Sequence, residues 1–309
     1  MKILVTGGAG FIGSHVTGAY VEAGHEVAVL DNFSTGKREN LPAGVRVFEG
    51  TIQDPDFVKQ AMIEFQPEVV NHHAAQVSVT ASVHEPMHDA TLNILGTISV
   101  LQAAADTASV RKVIYASSGG AMYGNPATLP CVEDTVPNPV SPYGLSKYTA
   151  ERYVWLFAAT APYVATVLRY SNVFGPRQDP HGEAGVCAIF AERMVGGSQD
   201  KKPAIFGDGS QVRDYVYVGD LATANVLALT KGDGGAYNIG TGQATTTMEV
   251  FEVLKAASNY PEGPVLAAPR AGEVQAIVLS PEKASKDLGW RPQVSFKEGI
   301  ERTVAWYRR

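Results

Sequence analysis

The sequence is poor in cysteine and contains no long apolar run. Only two of its 309 residues, Cys131 and Cys187, are cysteines, which argues against a disulfide framework and favours a reducing compartment. No apolar run reaches the roughly 18 residues that a membrane-spanning helix needs. The opening MKILVTGG runs straight into a structural motif, without room for a signal peptide. We therefore predict a cytoplasmic protein with no membrane-spanning segment.

Positive charge is also scarce. The net charge is −6, and lysine and arginine form neither a block nor a stripe, so nucleic-acid binding is not expected. An anionic small ligand remains compatible with this charge, because a few well-placed arginines suffice locally. We expect no metal site. With 45% hydrophobic and 18% charged residues, the composition predicts a globular protein with a large core and two unequal lobes.

Short apolar, β-branched runs alternate with helical patterns over the first part of the chain. The predicted strands are 2–6, 26–30, 45–48, 68–72, 112–117 and 164–170. The predicted helices lie at about 12–23, 55–65, 88–107 and 143–160. Repeating strand–helix units build a parallel sheet with helices on both faces, and right-handed crossovers favour a doubly wound order. The predicted fold class is α/β, a doubly wound parallel sheet of the Rossmann type with a smaller C-terminal α/β substrate lobe.

The composition and the pattern of predicted elements change after residue 172. The stretch 174–185 is rich in proline and glycine and reads as a loop, and shorter elements follow up to an amphipathic helix near 297–307. We predict that residues 1–172 form the larger domain, which the chain rejoins over about 213–241. The smaller lobe then comprises 173–212 and 242–309, and a substrate is expected in the crevice between the two.

A glycine-rich turn follows the first predicted strand and opens the first helix. In VTGGAGFIG, Gly8, Gly10 and Gly13 have the spacing G-x-G-x-x-G, and Gly7, Gly10 and Gly13 give the variant G-x-x-G-x-x-G. Glycines permit a tight turn and close approach of the backbone to a pyrophosphate. The helix N-terminus presents N–H groups and a partial positive charge to the phosphates. The pattern predicts a bound dinucleotide.

Asp31 at the end of the second predicted strand bears on the identity of that dinucleotide. A carboxylate there accepts a hydrogen bond from a ribose 2′-hydroxyl and repels a 2′-phosphate, which favours NAD over NADP. Lys37 and Arg38 lie close in sequence, so NADP is not excluded at this stage.

A tyrosine and a lysine are separated by one turn of a predicted helix. Tyr143 and Lys147 in SPYGLSK project from the same helix face. A nearby ammonium stabilises phenolate and lowers the pKa of a tyrosine from about 10, so Tyr143 is a candidate general base near neutral pH. Its position, after the fifth strand of a dinucleotide-binding fold, is what gives this common spacing its weight.

At this point the chain resembles the extended short-chain dehydrogenase/reductase family. The matching segments are TGGAGFIG, Asp31 with DNFSTG, HHAAQ (72–76), Asn93, SS…YG, SPYGLSK and LRYSNVFGPRQ. Three later segments are similar to the nucleotide-sugar epimerase and dehydratase branch: GDGSQVRDYVYVGD (207–220), YNIGTG (237–242) and PRAGE (269–273). The resemblance implies a tightly held NAD(P) that oxidises or reduces nucleotide-linked sugars.

The resemblance also implies roles for individual residues. The implied catalytic residues are Tyr143, Lys147 and Ser118. The implied cofactor-binding residues are Gly7, Gly10, Phe11, Ile12, Gly13, Asp31, Asn32, Ser34, Gly36, Thr51, Ile52, Ala74, Ala75, Asn93, Tyr143, Lys147 and Tyr170. The implied substrate-binding residues are Ser118, Tyr143, Asn172, Arg177, Val186, Phe206, Arg213, Arg270 and Glu273. In this set Arg213 and Arg270 would clamp the diphosphate, because guanidinium pairs with phosphate in a bidentate manner.

The stretch SSGGAMYG (117–124) decides between reactions of this branch. Sugar dehydratases carry an Asp–Glu pair just before the YG, and decarboxylases carry a Glu, whereas this chain has Gly119, Gly120 and Ala121. A 4-keto intermediate without a neighbouring acid can only be reduced again. The expected reaction is inversion at carbon 4 of a UDP-hexose, interconverting UDP-glucose and UDP-galactose, with Tyr143 as acid/base and NAD as cofactor. Proton donors from elsewhere, Cys131, His72 or His73, stay open.

Three positions depart from the family pattern. Gly119 lies where related epimerases have a serine or threonine that contacts the sugar 4-oxygen, so Ser118 or Ser117 would have to supply that hydroxyl. Thr51 stands where many relatives have an aspartate against adenine. Ile277 aligns with a position that admits or excludes N-acetyl groups, and its middling size leaves acetamido sugars open.

The sequence also leaves alternative activities open and predicts an oligomeric state. The alternatives are a UDP-glucuronate or UDP-N-acetylhexosamine 4-epimerase, a nucleotide-sugar reductase, or a non-catalytic NAD-binding relative. The predicted helices 88–107 and 143–160 carry more alanine and apolar residues than one buried face needs. Together with the resemblance, this predicts a homodimer that pairs these helices across a two-fold axis.

Overall fold

The computed structural model describes residues 1–181, 185–196, 202–269 and 274–309. In chain order the strands are β1 (Lys2–Thr6), β2 (Glu26–Asp31), β3 (Arg46–Glu49), β4 (Val69–His72), β5 (Lys112–Ser118), β6 (Val164–Tyr170), β7 (Asn172–Phe174), β8 (Ala204–Phe206), β9 (Val212–Arg213), β10 (Tyr215–Tyr217), β11 (Ala236–Ile239), β12 (Thr245–Thr246) and β13 (Val265–Ala267). The helices are α1 (Phe11–Glu22), α2 (Pro55–Phe65), α3 (Val79–His84), α4 (Pro86–Ala90), α5 (Gly96–Ala105), α6 (Gly119–Met122), α7 (Pro142–Ala158), α8 (Val186–Val195), α9 (Val218–Ala228), α10 (Thr247–Ser258), α11 (Glu282–Asp287) and α12 (Phe296–Tyr307).

The central sheet has seven parallel strands in the order β11-β6-β5-β4-β1-β2-β3. This confirms the predicted doubly wound α/β fold, and each of the six predicted strands is present within two residues of its predicted ends. The strand order reverses between β1 and β4, and ligands of such sheets bind at that point beyond the carboxyl ends of the strands.

Both faces of this sheet are buried. In β1, Ile3 and Val5 point into the core beneath α1 and α9, whereas Leu4 points into the core beneath α2, α5 and α7. Continuous apolar strands of this kind are typical of parallel sheets that are covered on both sides. The fold therefore places the carboxyl ends of the strands, and not their faces, in contact with solvent.

The helix that carries Tyr143 and Lys147 has a well-defined start. Ser141 accepts a hydrogen bond from Gly144 N at 3.1 Å, and Pro142 occupies the first turn, which are strong N-terminal signals. The predicted helix 88–107 is also present, as α4, a π-helical turn at Thr91–Leu95 and α5 in succession. It packs beside α7.

A second core lies outside the sheet, built from α8, α10, α12 and β8. Phe174, Phe190, Ile205, Phe251 and Ile300 are all buried there. The return of the chain to the sheet is visible in β11, which pairs with β6. The boundary at residue 172 and the extent of each lobe stay predictions. Among the described residues, no helix combines the length and the apolarity that crossing a bilayer requires.

Candidate active site

A cavity of about 920 Å³ opens at the carboxyl ends of the central strands. It collects most of the residues that the sequence singled out, although they come from distant segments. The predicted residues that line it are Gly7, Gly10, Phe11, Ile12, Gly13, Asp31, Asn32, Ser34, Thr51, Ile52, Ala74, Ala75, Ser118, Tyr143, Lys147, Tyr170, Asn172, Val186, Phe206 and Arg213. Arg270 and Glu273 lie outside the described residues.

Two predicted cofactor contacts do not line the cavity. Gly36 packs behind Asp31, since a Cβ on Gly36 would lie 3.0 Å from Asp31 Oδ1. The Asn93 side chain is buried and committed to protein partners: its amide donates to Gln76 O, Asp89 Oδ1 and Ser146 Oγ, and its Oδ1 accepts from Gln76 N. Gly36 therefore makes room for the Asp31 carboxylate, and Asn93 ties helices together.

Arg177, which was predicted to bind substrate, does not line the cavity either. Arg177 has a left-handed backbone (φ 69°), and its Nη1 donates to Ser14 Oγ on α1 at 3.2 Å. The neighbouring Pro176 O lies 3.0 Å from His15 Nε2. The segment around Arg177 is thus hydrogen-bonded to α1 at two places.

The glycine-rich turn fits a dinucleotide. Gly7 has φ 67°, and a Cβ there would lie 2.6 Å from Ala74 N, so only glycine permits this close approach of two backbones. A Cβ on Gly13 would overlap Gly7 O. The N-terminus of α1 begins at Gly10 without a side-chain cap, which leaves its N–H groups for an anion.

Asp31 is held in one orientation beside this turn. Its Oδ2 accepts from Ala9 N at 2.9 Å and its Oδ1 accepts from Phe33 N at 2.8 Å. Arg38, one of the two nearby cations, is engaged elsewhere, because it pairs with Glu49 and its guanidinium lies over the Phe33 ring at 4.3 Å. This arrangement suits a free 2′-hydroxyl.

Lys147 is buried deep at the other end of the cavity. Its Nζ lies 4.5 Å from the centre of the Tyr115 ring. Burial lowers the pKa of Lys147 to about 7, and the carboxylates of Asp89 and Glu151 act in the opposite direction. Tyr143, one turn earlier on α7, is half-buried and lines the cavity. A charged lysine in this position stabilises a phenolate on its neighbour.

The alternative proton donors that the sequence left open, two histidines and a cysteine, are poorly suited to protonate a sugar in the cavity. Both ring nitrogens of His72 are occupied, by Thr6 Oγ1 at 2.6 Å and Thr97 Oγ1 at 3.0 Å. Burial lowers the pKa of His73 to about 3, so this ring is neutral. Cys131 is buried away from the cavity, and burial raises its pKa to about 11.

Carboxylates are almost absent from the cavity wall. Among the described residues that line it, Asp31 is the only one, and it lies beside the glycine-rich turn, not near Tyr143. The structure therefore retains the acid-free character that the stretch 117–124 suggested. Elimination of water from a sugar, which needs a positioned acid, has no candidate donor among the described lining residues.

The position of Gly119 has a steric explanation. A Cβ on Gly119 would lie 2.6 Å from Leu279 Cδ1, so a serine or threonine at this position would require the end of the Leu279 side chain to move. Ser117 is occupied, because its Oγ donates to Glu151 Oε2 at 2.8 Å. Ser118 lines the cavity and is the hydroxyl best placed to replace the missing one.

Ile277 does not act where the sequence alignment suggested. It is fully buried in a cluster with Met122, Tyr123, Cys131 and Leu279 and does not line the cavity. The backbone of this segment follows β9, which turns the side chain inward.

Several lining residues were missed by sequence reasoning. They are Gln178, Arg193, Gln211 and Thr247. Gln211 belongs to the quoted segment 207–220, which is the one signal that pointed toward it. Arg193 lies on the otherwise apolar inner side of α8, and its Nη1 donates to Lys202 O at 3.2 Å. Such contacts depend on how loops of the smaller core fold and leave no periodic pattern in sequence.

Comparisons with known proteins agree with this site. The NAD dependent epimerase/dehydratase family matches residues 3–240. A UDP-glucose 4-epimerase of Mycolicibacterium smegmatis is 42% identical over 314 residues, covering 100% of this chain and 99% of the relative. A crystal structure of the Thermotoga maritima UDP-glucose 4-epimerase with UDP-glucose has a TM-score of 0.96 at 48% identity, covering 100% of this chain and 99% of that one. The Thermus thermophilus UDP-glucose 4-epimerase complex with NAD has a TM-score of 0.93 at 46% identity, with the same coverage. The chain belongs to the NAD dependent epimerase/dehydratase family.

Proposed function

We propose that this protein is an NAD-dependent 4-epimerase that interconverts UDP-glucose and UDP-galactose through a transient 4-keto sugar. The observation that carries the proposal is the pairing of Tyr143 with the buried Lys147 in a cavity whose described wall has no acid near them. The solved relatives with UDP-glucose and with NAD support the choice of ligands.

The residues that would hold the cofactor lie in one row along the cavity. Gly7, Gly10 and Gly13 with the N-terminus of α1 suit the pyrophosphate, and Asp31 suits a ribose hydroxyl. Thr51, at the far end, bonds Gln53 N through its Oγ1 at 3.2 Å. When bound, NAD supplies a hydride acceptor for carbon 4 of the sugar.

The residues of the chain perform the proton transfer and hold the substrate. Tyr143 takes the proton of the 4-hydroxyl and later returns it, while the Lys147 ammonium stabilises the phenolate between these steps. Asn172 and Arg213 are assigned to the diphosphate, and Val186 and Phe206 to the nucleoside. Arg270 and Glu273 keep the roles that the family resemblance implies. Rotation of the nucleotide-linked keto sugar within the cavity would present its other face and so invert carbon 4.

Ser118→Ala is expected to lower kcat about fivefold to tenfold and to change KM less than twofold. The Ser118 hydroxyl would donate to the 4-oxygen, and a neutral hydrogen bond contributes on the order of 1 kcal/mol, more to a developing oxyanion. Steady-state kinetics with UDP-galactose measure both constants. Ser117→Ala tests the neighbouring hydroxyl. An unchanged kcat for Ser118→Ala would remove this hydroxyl from the mechanism.

The activity itself is tested by incubating the purified protein with UDP-galactose and no added NAD. UDP-glucose formation, followed by NMR of the anomeric protons, supports the proposal. Steady consumption of added NADH indicates a reductase instead, and inertness indicates a non-catalytic relative. A panel of UDP-, dTDP- and GDP-hexoses, with UDP-glucuronate and UDP-N-acetylglucosamine, then defines the sugar. Inversion of UDP-N-acetylglucosamine alone would transfer the assignment to an acetamido substrate.

We also propose that two copies pair through α4, α5 and α7. These helices pack side by side and expose large apolar side chains on their outer surface: Met87 (80% exposed), Leu95 (59%), Leu145 (54%) and Leu156 (61%). Patches of this kind mark interaction sites. The proposed location stays cytoplasmic, supported by the buried free thiols of Cys131 and Cys187.

The double variant Leu95→Glu/Leu156→Glu is expected to convert a dimer into a monomer. The introduced glutamates would be buried among apolar side chains at the helix contact without a cationic partner, which is costly. Light scattering coupled to gel filtration gives the mass of each species. Ile63→Glu, an equally exposed apolar position on α2, is the matched control and should remain dimeric. A monomeric wild-type protein would refute the proposed pairing.

A further inference from the structure

Asp89 is a buried carboxylate that has no ion-pair partner among the residues that the structure describes. It lies on α4 and is only 1% exposed. Its Oδ1 accepts from Gln76 Nε2 at 2.8 Å and from Asn93 Nδ2 at 3.0 Å, and both donors are neutral amides. A buried charge without a nearby opposite charge is costly. Some cation must therefore compensate Asp89 through space.

Asp89 is physically coupled to α7, the helix that carries Lys147. Helix α4 packs against α7, and Asn93, which bonds Asp89, also donates to Ser146 Oγ at 3.1 Å. Ser146 is the residue before Lys147. Among the described residues, neither Lys147 nor Asp89 belongs to a close ion pair, and the Asp89 carboxylate acts on the Lys147 ammonium through space.

The other titratable groups around Lys147 do not supply a net negative charge. Burial lowers the pKa of His72 and His73 and raises that of Tyr115, so all three are neutral. Glu151 is close, but its carboxylate is neutralised by Arg169, whose Nη2 lies 2.6 Å from Oε1. Tyr143 is the group whose phenolate the Lys147 ammonium would stabilise.

Asp89 is also the stronger of the two carboxylates that act on Lys147. It raises the pKa of this lysine more than Glu151 does, against the effect of burial, and the balance leaves that pKa at about 7. A buried lysine without such a neighbour would lose its proton below neutral pH. A neutral amine would no longer favour a phenolate on Tyr143.

We propose that Asp89 is the counter-ion that keeps the Lys147 ammonium charged inside the closed site. Asp89 is thus a positioning residue that acts through Lys147 and touches neither the sugar nor the cofactor. The effect of Asp89 on the charge of Lys147 does not depend on the proposed function. Only its consequence for catalysis, a Tyr143 held ready to take a proton, rests on the proposed function.

Asp89→Asn distinguishes the effect of the Asp89 charge from that of its hydrogen bonds. The amide oxygen of asparagine can still accept from Gln76 and Asn93, so the hydrogen bonds are retained while the charge is removed. The protein is labelled with ¹³Cε-lysine, and the Lys147 signal is assigned by its loss in Lys147→Met. We expect a titration midpoint near 7 in the wild-type protein, and a midpoint about one pH unit lower in Asp89→Asn, a tenfold change in proton affinity.

Asp56→Asn is the matched control, since it removes one exposed negative charge from the start of α2 and should leave the Lys147 midpoint in place. Asp89→Glu, which restores the charge, should return the midpoint toward the wild-type value. A purely structural role predicts a lower melting temperature for Asp89→Asn with the Lys147 midpoint unchanged, and that result overturns the inference.

Kinetics give the functional side of the test. The alkaline limb of the kcat profile should shift to lower pH in Asp89→Asn by the same interval, because the ammonium is lost at a lower pH. If the wild-type protein does not epimerise UDP-galactose, the proposed function fails while the NMR titration still decides the role of Asp89. If the wild-type protein is active and both titrations match those of Asp89→Asn, only the counter-ion inference fails.

Discussion

Tyr143→Phe is expected to lower kcat about a thousandfold while leaving the affinity for NAD within about twofold. The substitution removes one hydroxyl from the cavity wall and nothing from the glycine-rich turn or from Asp31. General acid–base catalysis contributes typically about 10²- to 10⁴-fold, and no second group near Tyr143 is ready to replace it. Steady-state kinetics measure kcat, and the rise in melting temperature on adding NAD measures retention of the cofactor.

The matched control is Tyr153→Phe on the same helix, whose side chain packs into the core beneath α7 and should leave kcat within about twofold. His73 is the most informative second site, because its Nε2 is 3.0 Å from Tyr170 OH and its ring lines the cavity. If Tyr143→Phe retained more than a tenth of the activity, the proton would have to pass through another group. His73→Phe would then identify or exclude the imidazole.

The sheet could be predicted from sequence because its strands are buried on both faces. β1, β2 and β5 each contain a run of apolar residues, β4 and β6 contain shorter ones beside polar residues, and the glycine-rich turn fixes where the first helix begins. β11 (Ala236–Ile239) was not recognised as a strand, since AYNI is short and depends on pairing with β6 for its burial. The two-residue strands β9 and β12 are defined by each other and have no signal of their own.

Site residues could be predicted where the chemistry requires a particular residue type. They could not be predicted where they depend on contacts between residues that are distant in sequence. Glycines at the turn, Asp31, Tyr143 and Lys147 follow from the chemistry of phosphate, ribose and phenolate. The glycine at position 119 packs against Leu279, which is distant in sequence and whose Cδ1 would lie 2.6 Å from a Cβ there. The hydrogen bonds of Asn93 could not be predicted for the same reason, because its partners Gln76 and Ser146 come from other segments.

Glu151→Leu is expected to destabilise the protein by about 3–5 kcal/mol, as is typical when one partner of a buried ion pair is removed. Glu151 is fully buried and Arg169 is 8% exposed. Arg169 Nε and Nη2 both donate to the Glu151 carboxylate, and Ser117 Oγ donates to it as well. The pair thus fastens α7 to the ends of β5 and β6. Urea denaturation at pH 7 gives the free energy of unfolding.

Arg169→Met should cost a similar amount, because Glu151 then remains as a buried charge. The double variant is the sharper test, since replacing both charges by apolar side chains removes the need for compensation. Its destabilisation should be smaller than that of either single variant, and the cycle should give a coupling of at least about 2 kcal/mol. Additive losses would show that the two charges act independently.

The same double variant separates stability from catalysis. If the ion pair serves only to hold the fold together, a well-folded Glu151→Leu/Arg169→Met protein should keep its activity. We expect instead that kcat stays about tenfold low, because Ser117 loses its partner on α7 and the spacing between Ser118 and Tyr143 is no longer fixed. Misplacement of catalytic groups by about 1 Å is enough for losses of this size. Ser117→Ala, which breaks the same connection while the charges remain paired, should reproduce part of that loss with a smaller change in stability than either charge variant, because Glu151 keeps its bonds to Arg169.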